Sequence, residues 1–244
     1  MGNLHDGRDR ESKCKFQKHK VIGFVPCALF EVKPQSYCPR ILTVGPLYQN
    51  LVPSLMDRFK ALCVKKFMER HQIINMEEFM KELIPQHANE LSNIYFGLPT
   101  YNFDSLQLLV SVDTIFFYEF FLFLTEDCSD SQEKKSGYLY TFINNGITIS
   151  QIRRDLLLIG NQIPMSYLKK IARDIGNNRD FSLDHLKATV TSFVMKQNPF
   201  FSHDPSLYKG KHFEIDLSDC QHLLDALYVS CTETFKSEGA SHQV

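Results

Sequence analysis

Two carboxylates stand inside the most apolar stretch of this chain. Asp113 and Glu119 sit among Leu106, Val110, Ile115, Phe116, Phe117, Phe120, Phe121 and Leu124. Burial among such residues raises a carboxyl pKa unless a partner holds the charge, so these residue types suit general acid or base chemistry. They are six positions apart, which on a helix points them to different sides, so they do not line one site. The structural alternative is that each acid takes a basic or amide partner and fixes how helices pack. Arg154 and Arg153 are the candidate partners for Asp113. Arg154 precedes Asp155, and the apolar run Leu156 to Ile159 follows. Beyond it, Asn161, Gln162 and Pro164 mark the point where one helix stops and another starts. Side-chain amides at such a break satisfy orphan carbonyl and N–H groups.

Other chemistries lack a pattern. There is no Cys-x-x-Cys pair and no His-Glu-x-x-His. Cys220 and His222 are two apart at a helix start and diverge. No Gly-x-Ser-x-Gly elbow is present, and Gly137, Gly146 and Gly160 are isolated rather than gathered into a phosphate loop. No catalytic residue, metal or cofactor is therefore assigned.

The elements that position these residues are helical. Leu55, Phe59, Leu62, Cys63 and Phe67 recur at three- and four-residue steps, which predicts a helix over about 53–70. Asn75 and Glu78 form a capping-box pattern for the next helix, which Pro85 kinks or breaks before a second piece at 86–96. Residues 106–124 are apolar on nearly every side. Their length competes as a membrane span, but Asp113, Glu119, Gln107 and Ser111 make insertion costly, and a central core helix needs the same composition. A polar loop is expected at 125–137, helices at 148–160 and 164–175, and one capped by Ser182. A long loop spans 198–217, and Ser218 with Gln221 offers a second capping box for the last helix. Pro26, Pro34, Pro39, Gly45 and Pro46 exclude a long helix from residues 21–50, which read as an extended, turning segment lying on the core. The fold class is all-α: an irregular multi-helix domain around a central apolar helix, with this Pro-rich segment at the front. Residues 21–235 read as one domain between a basic tail (1–20) and a frayed end (236–244).

Composition agrees with a globular chain: 244 residues, 43% hydrophobic and 23% charged. A net charge of −1 gives no drive toward nucleic acid. The first twenty residues carry six basic and three acidic side chains, enough for a weak contact with an anionic membrane surface. They have no apolar core of the kind a secretory signal needs. Seven cysteines at irregular spacing read as reduced thiols of an intracellular protein, cytoplasmic or membrane-peripheral.

Four segments in order resemble a known family. They are Tyr37-Cys-Pro39-Arg-Ile-Leu-Thr-Val-Gly45-Pro46-Leu-Tyr48, Asp113-Thr-Ile-Phe-Phe-Tyr-Glu119, Asp155-Leu-Leu-Leu-Ile-Gly-Asn161-Gln162-Ile-Pro164 and His222-Leu-Leu-Asp225. The chain resembles the plant family called domain of unknown function 247 over about residues 22–230. Thr114 replaces the family's usual glycine, and Gly160 its usual acid. The family's domain usually continues past His222-Leu-Leu-Asp225 to a C-terminal membrane anchor, so the chain reads as a short or truncated member.

The resemblance implies a helical protein with no assigned activity, some of whose relatives are associated with self-incompatibility. The leading expectation is a non-catalytic protein–protein interaction or recognition module with an unknown protein partner. The alternatives are an enzyme of unknown class using Asp113 or Glu119, and a truncated family member without independent function.

Overall fold

A computed structural model describes residues 22–49, 55–83, 91, 93–98, 102–126, 149–175, 182–200 and 214–241. The basic tail and most of the expected loops at 125–137 and 198–217 lie outside the described residues. Strand β1 (Ile22–Gly23) leads into helices α1 (Cys27–Val32) and α2 (Pro34–Tyr37). Helices α3 (Leu55–His71) and α4 (Met76–Leu83) precede strand β2 (Tyr95–Phe96). Then come α5 (Phe103–Glu126), α6 (Ile149–Leu156), α7 (Met165–Asp174), α8 (Leu183–Met195) and α9 (Leu223–Ser241). The architecture is an all-α multi-helix domain.

Helix α5 is the centre. It packs against α3, α4, α7 and α8. It is long and apolar enough to cross a membrane by length and composition, and 83% of its most apolar window is buried inside the domain. Aromatic rings make the joints. Phe59 of α3 meets Phe116 edge-on at 5.8 Å, Phe67 meets Tyr118 at 5.5 Å, and Phe121 meets Phe193 of α8 at 5.7 Å. These edge-to-face pairs place the positive rim of one ring on the negative face of the next. The α3 stripe at Phe59, Cys63 and Phe67 is buried, as its spacing requires.

Helix starts follow local chemistry. Asn75 Oδ1 accepts from the Glu77 and Glu78 amides ahead of α4, and Ser182 Oγ accepts from the His185 amide at α8. The last helix differs from expectation. Ser218 and Gln221 do not cap it; Ser218 N–H instead donates to Asp216 Oδ1 in a turn. The box is His222 with Asp225. The Asp225 amide donates to His222 Nδ1, and Asp225 Oδ2 reaches back to accept from the Gln221 amide. Helix α9 then continues to Ser241, past residue 235.

Three other differences have physical reasons. The Pro-rich segment holds two short helices, because Pro34 sits comfortably in a first turn and Pro39 ends the second helix. Tyr95 and Phe96, expected to be helical, pair in parallel with Ile22 and Gly23, where aromatic residues suit a strand. The helix expected over 148–160 stops at Leu156, and residues 157–163 form an irregular turn.

Because Phe121 is fully buried between Phe117 and Phe193, Phe121→Ala should lower unfolding free energy by about 3–5 kcal/mol in a urea titration.

Candidate functional site

Asp113, Asp155 and Asn161, from two of the motif segments, meet on a third, the extended segment 38–45, and the fourth joins them through the Leu224 amide. This segment has no strand to pair with, so its backbone groups need side-chain partners. Asp155, fully buried at the end of α6, supplies the first. Its Oδ2 accepts from the amides of Arg40, Ile41 and Leu42 at 2.9, 2.8 and 3.0 Å. Asn161 supplies the next two. Its Oδ1 accepts from the Val44 amide at 2.7 Å, and its Nδ2 donates to the carbonyls of Leu42 and Asp155. Asp113 Oδ2 accepts from the Gly45 amide at 2.8 Å, and Lys60 Nζ donates to the Thr43 carbonyl at 2.5 Å.

Gln162 works on the other side of the turn. Its Nε2 donates to the carbonyl of Leu156, which the end of α6 leaves open, and to that of Leu158, which also accepts from the Asn161 amide; its Oε1 accepts from the Leu224 amide of α9. Tyr95 Oη donates to the Gln162 carbonyl, and the Met165 amide to the Gln221 carbonyl. Pro164 caps α7 with extended backbone. Pro39 and Pro46 are buried within the gripped segment.

Gly45 has φ +67°, and a Cβ there would lie 2.5 Å from the Gln162 carbonyl oxygen. Gly160 faces the Tyr48 ring, where a Cβ would come within 2.6 Å. The small residue at 160 therefore lets Tyr48 close over the turn. Thr114, the other departure, is buried and donates back to the Val110 carbonyl at 2.6 Å.

The expected contact of Asp113 with Arg153 or Arg154 is not formed. Asp113 Oδ1 lies 2.5 Å from Lys60 Nζ. Arg154 faces the front segment, where it pairs with Asp155 Oδ1 and donates to the carbonyls of Gln35 and Cys38. Helix α3, packed along α5, brings Lys60 to Asp113, and nothing in the local sequence around either residue announces the pair. Glu119, on another side of α5, takes a bidentate contact from Arg70 at 2.7 and 3.0 Å.

Two concave regions flank the gripped segment. One is a cleft of about 350 Å³ between residues 43–49, the start of α3 and the first half of α5. Lys60 and Asp113 line it, with Asp57 and Ser105 exposed beside them. Burial pushes the Asp113 carboxyl above its ordinary value, outweighing the pull of Lys60 and of the Gly45 amide. Glu119, Asn161 and Gln162 do not line this cleft. The other region is an apolar groove of about 620 Å³ lined by Phe24, Val25, Phe30, Leu47, Tyr48 and the cysteines 27 and 38. Sequence periodicity did not reveal it, because it is made by short, irregular elements.

Among the described residues, no three His, Cys, Asp or Glu side chains gather as a metal site would require. Burial raises the Cys220 thiol to about 11, so it is held as the neutral thiol near neutrality.

The family model for DUF247, described as a plant protein of unknown function, matches residues 22–243. The chain belongs to this plant family. A curated relative, a putative UPF0481 protein of Arabidopsis thaliana, is 24% identical over 209 residues. That alignment covers 84% of this chain and 36% of the relative, so the chain spans about a third of the relative's length. No solved structure matches it. In this DUF247 chain the motif residues Asp113, Asp155, Asn161 and Gln162 are bonded to backbone.

Two measurements follow. Asp155→Ala leaves three amides of the front segment without their acceptor; at about 1–3 kcal/mol each, the loss should exceed about 3 kcal/mol in a denaturant titration. The raised Asp113 carboxyl makes the folded state bind a proton more readily than the unfolded state. Its stabilising contribution is full below the ordinary carboxylate value and is lost as pH rises through the raised one. The unfolding free energy of the wild type relative to Asp113→Asn should therefore fall as pH is raised across that acidic window. A difference that rises with pH would contradict the sign.

Proposed function

We propose that this chain acts by non-catalytic recognition of another protein, through the apolar surface around the groove at its front end. One observation carries the reading. Phe24, Leu29, Phe30 and Val32 are exposed together on β1–α1, and Phe96 of the adjoining strand is exposed as well. Val32 is 83% exposed and Phe96 63%. Apolar side chains exposed beside a groove fit a partner's apolar anchor, because removing both surfaces from water lowers the free energy. Asp155 and Asn161 support the same reading, since their hydrogen bonds go to the backbone of the segment beside the groove.

A second reading, an enzyme using Asp113 as general acid or base, draws on one feature: this acid and Lys60 stand at the floor of a cleft.

The test compares proteins retained from plant extract by the wild type and by Phe24→Asp/Phe30→Asp, with circular dichroism to verify an unchanged fold. Specific partners should be retained by the wild type and lost from the double variant. Identical sets would sink the proposal. Val32→Asp, at the most exposed of these positions, serves if the double variant is unstable.

A further inference from the structure

We infer that the cleft floored by Lys60 and Asp113 binds a neutral, hydroxylated small molecule, and that a carbohydrate ring is the class that suits it. This is independent of the protein-binding reading, which rests on the groove on the other side of residues 43–49.

Among the described residues, the floor's hydrogen-bonding capacity is not fully used. A lysine ammonium has three N–H donors. Among the described residues, Lys60 spends them on the Thr43 carbonyl and Asp113 Oδ1. A carboxylate offers about four lone-pair positions. Asp113 receives Lys60 on one oxygen and the Gly45 amide on the other. A donor and an acceptor therefore stand side by side, with side-chain exposures of 8% and 2%. Burying such a pair carries a desolvation cost for each ion, and further polar partners offset it. One hydroxyl can donate to Asp113 while it, or its vicinal neighbour, accepts from Lys60.

Charge and shape narrow the class. Asp57 adds a carboxylate at the rim and contributes to pushing Asp113 upward. Counting Lys60 and Asp113 as cancelling, the described lining residues keep a negative excess that opposes carboxylates and phosphates. The α5 wall is aliphatic: Leu108, Leu109 and Val112. Leu108 is 52% exposed. A ligand must then present hydroxyls on one edge and a C–H face on the other, as a pyranoside does. The volume of about 350 Å³ lies near the small end of the usual range of about 300–1,000 Å³ for ligand pockets.

The experiment uses the whole chain, isotope-labelled, in NMR titrations with methyl α-D-glucopyranoside and methyl β-D-galactopyranoside up to about 50 mM, well past a millimolar Kd. The Gly45 amide and the Leu108, Leu109 and Val112 methyl groups should shift in a saturable way with at least one glycoside. Glucuronate should bind roughly fivefold more weakly, reflecting one unfavourable charge contact in water. Leu108→Arg should abolish the shifts, and Ser105→Trp replaces it if that variant does not fold. No saturable shift with either glycoside overturns the proposal. Shifts that persist in the blocked variant, or tighter binding of glucuronate, overturn it equally.

Discussion

One carboxylate oxygen accepting three consecutive backbone amides holds the front of this protein to its body. Asp155 Oδ2 does for residues 40–42 what a neighbouring strand would do in a sheet. Without it, a proline-interrupted segment with no ladder of its own would leave buried amides unpaired. Asn161, Lys60 and Asp113 extend the same grip toward residue 45. Helices α1 and α2 and the groove beside them lie between this anchoring and the β1–β2 pair. Arg154 then neutralises the anchor and ties it to the carbonyls at the end of α2.

The turn after α6 is the complementary hub. Gln162 closes the open end of α6 and reaches α9, while its own carbonyl is bonded to Tyr95. Front segment, central helices and last helix therefore meet at the irregular turn 157–163. The turn departs from helical geometry because its side chains are needed as backbone substitutes, a use that Asn and Gln serve with both donor and acceptor on one group.

Much of this was legible in the sequence. The periodic stripes of α3, α4 and α8, the all-apolar centre of α5 and the break at Asn161–Gln162 are local patterns, and local patterns announce helices. The partner of Asp113 was not legible. Lys60 lies within an ordinary basic face of α3, and only the packing of α3 on α5 selects it over Arg153 and Arg154. The cap of α9 is likewise decided by tertiary contact. Ser218–Gln221 and His222–Asp225 both have the spacing of a box, and the Met165 amide on the Gln221 carbonyl joins the residue just before the helix to α7. The strand pair and the groove involve elements of two to six residues, too short for any period to register.

The grip also orders events in the life of the chain. Leu42 and Asp155 are 113 positions apart, and Val44 and Asn161 are 117 apart. On a ribosome that adds about 5–20 residues each second, the front segment waits about 6–23 seconds for its acceptors to be made. During that interval its apolar side chains and unpaired amides have no native shelter. The domain thus closes from its later residues back onto its earliest, and contacts of such long sequence separation make that closure slow. A nascent chain released before residue 162 would carry the groove's residues but not the side chains that hold their backbone in place.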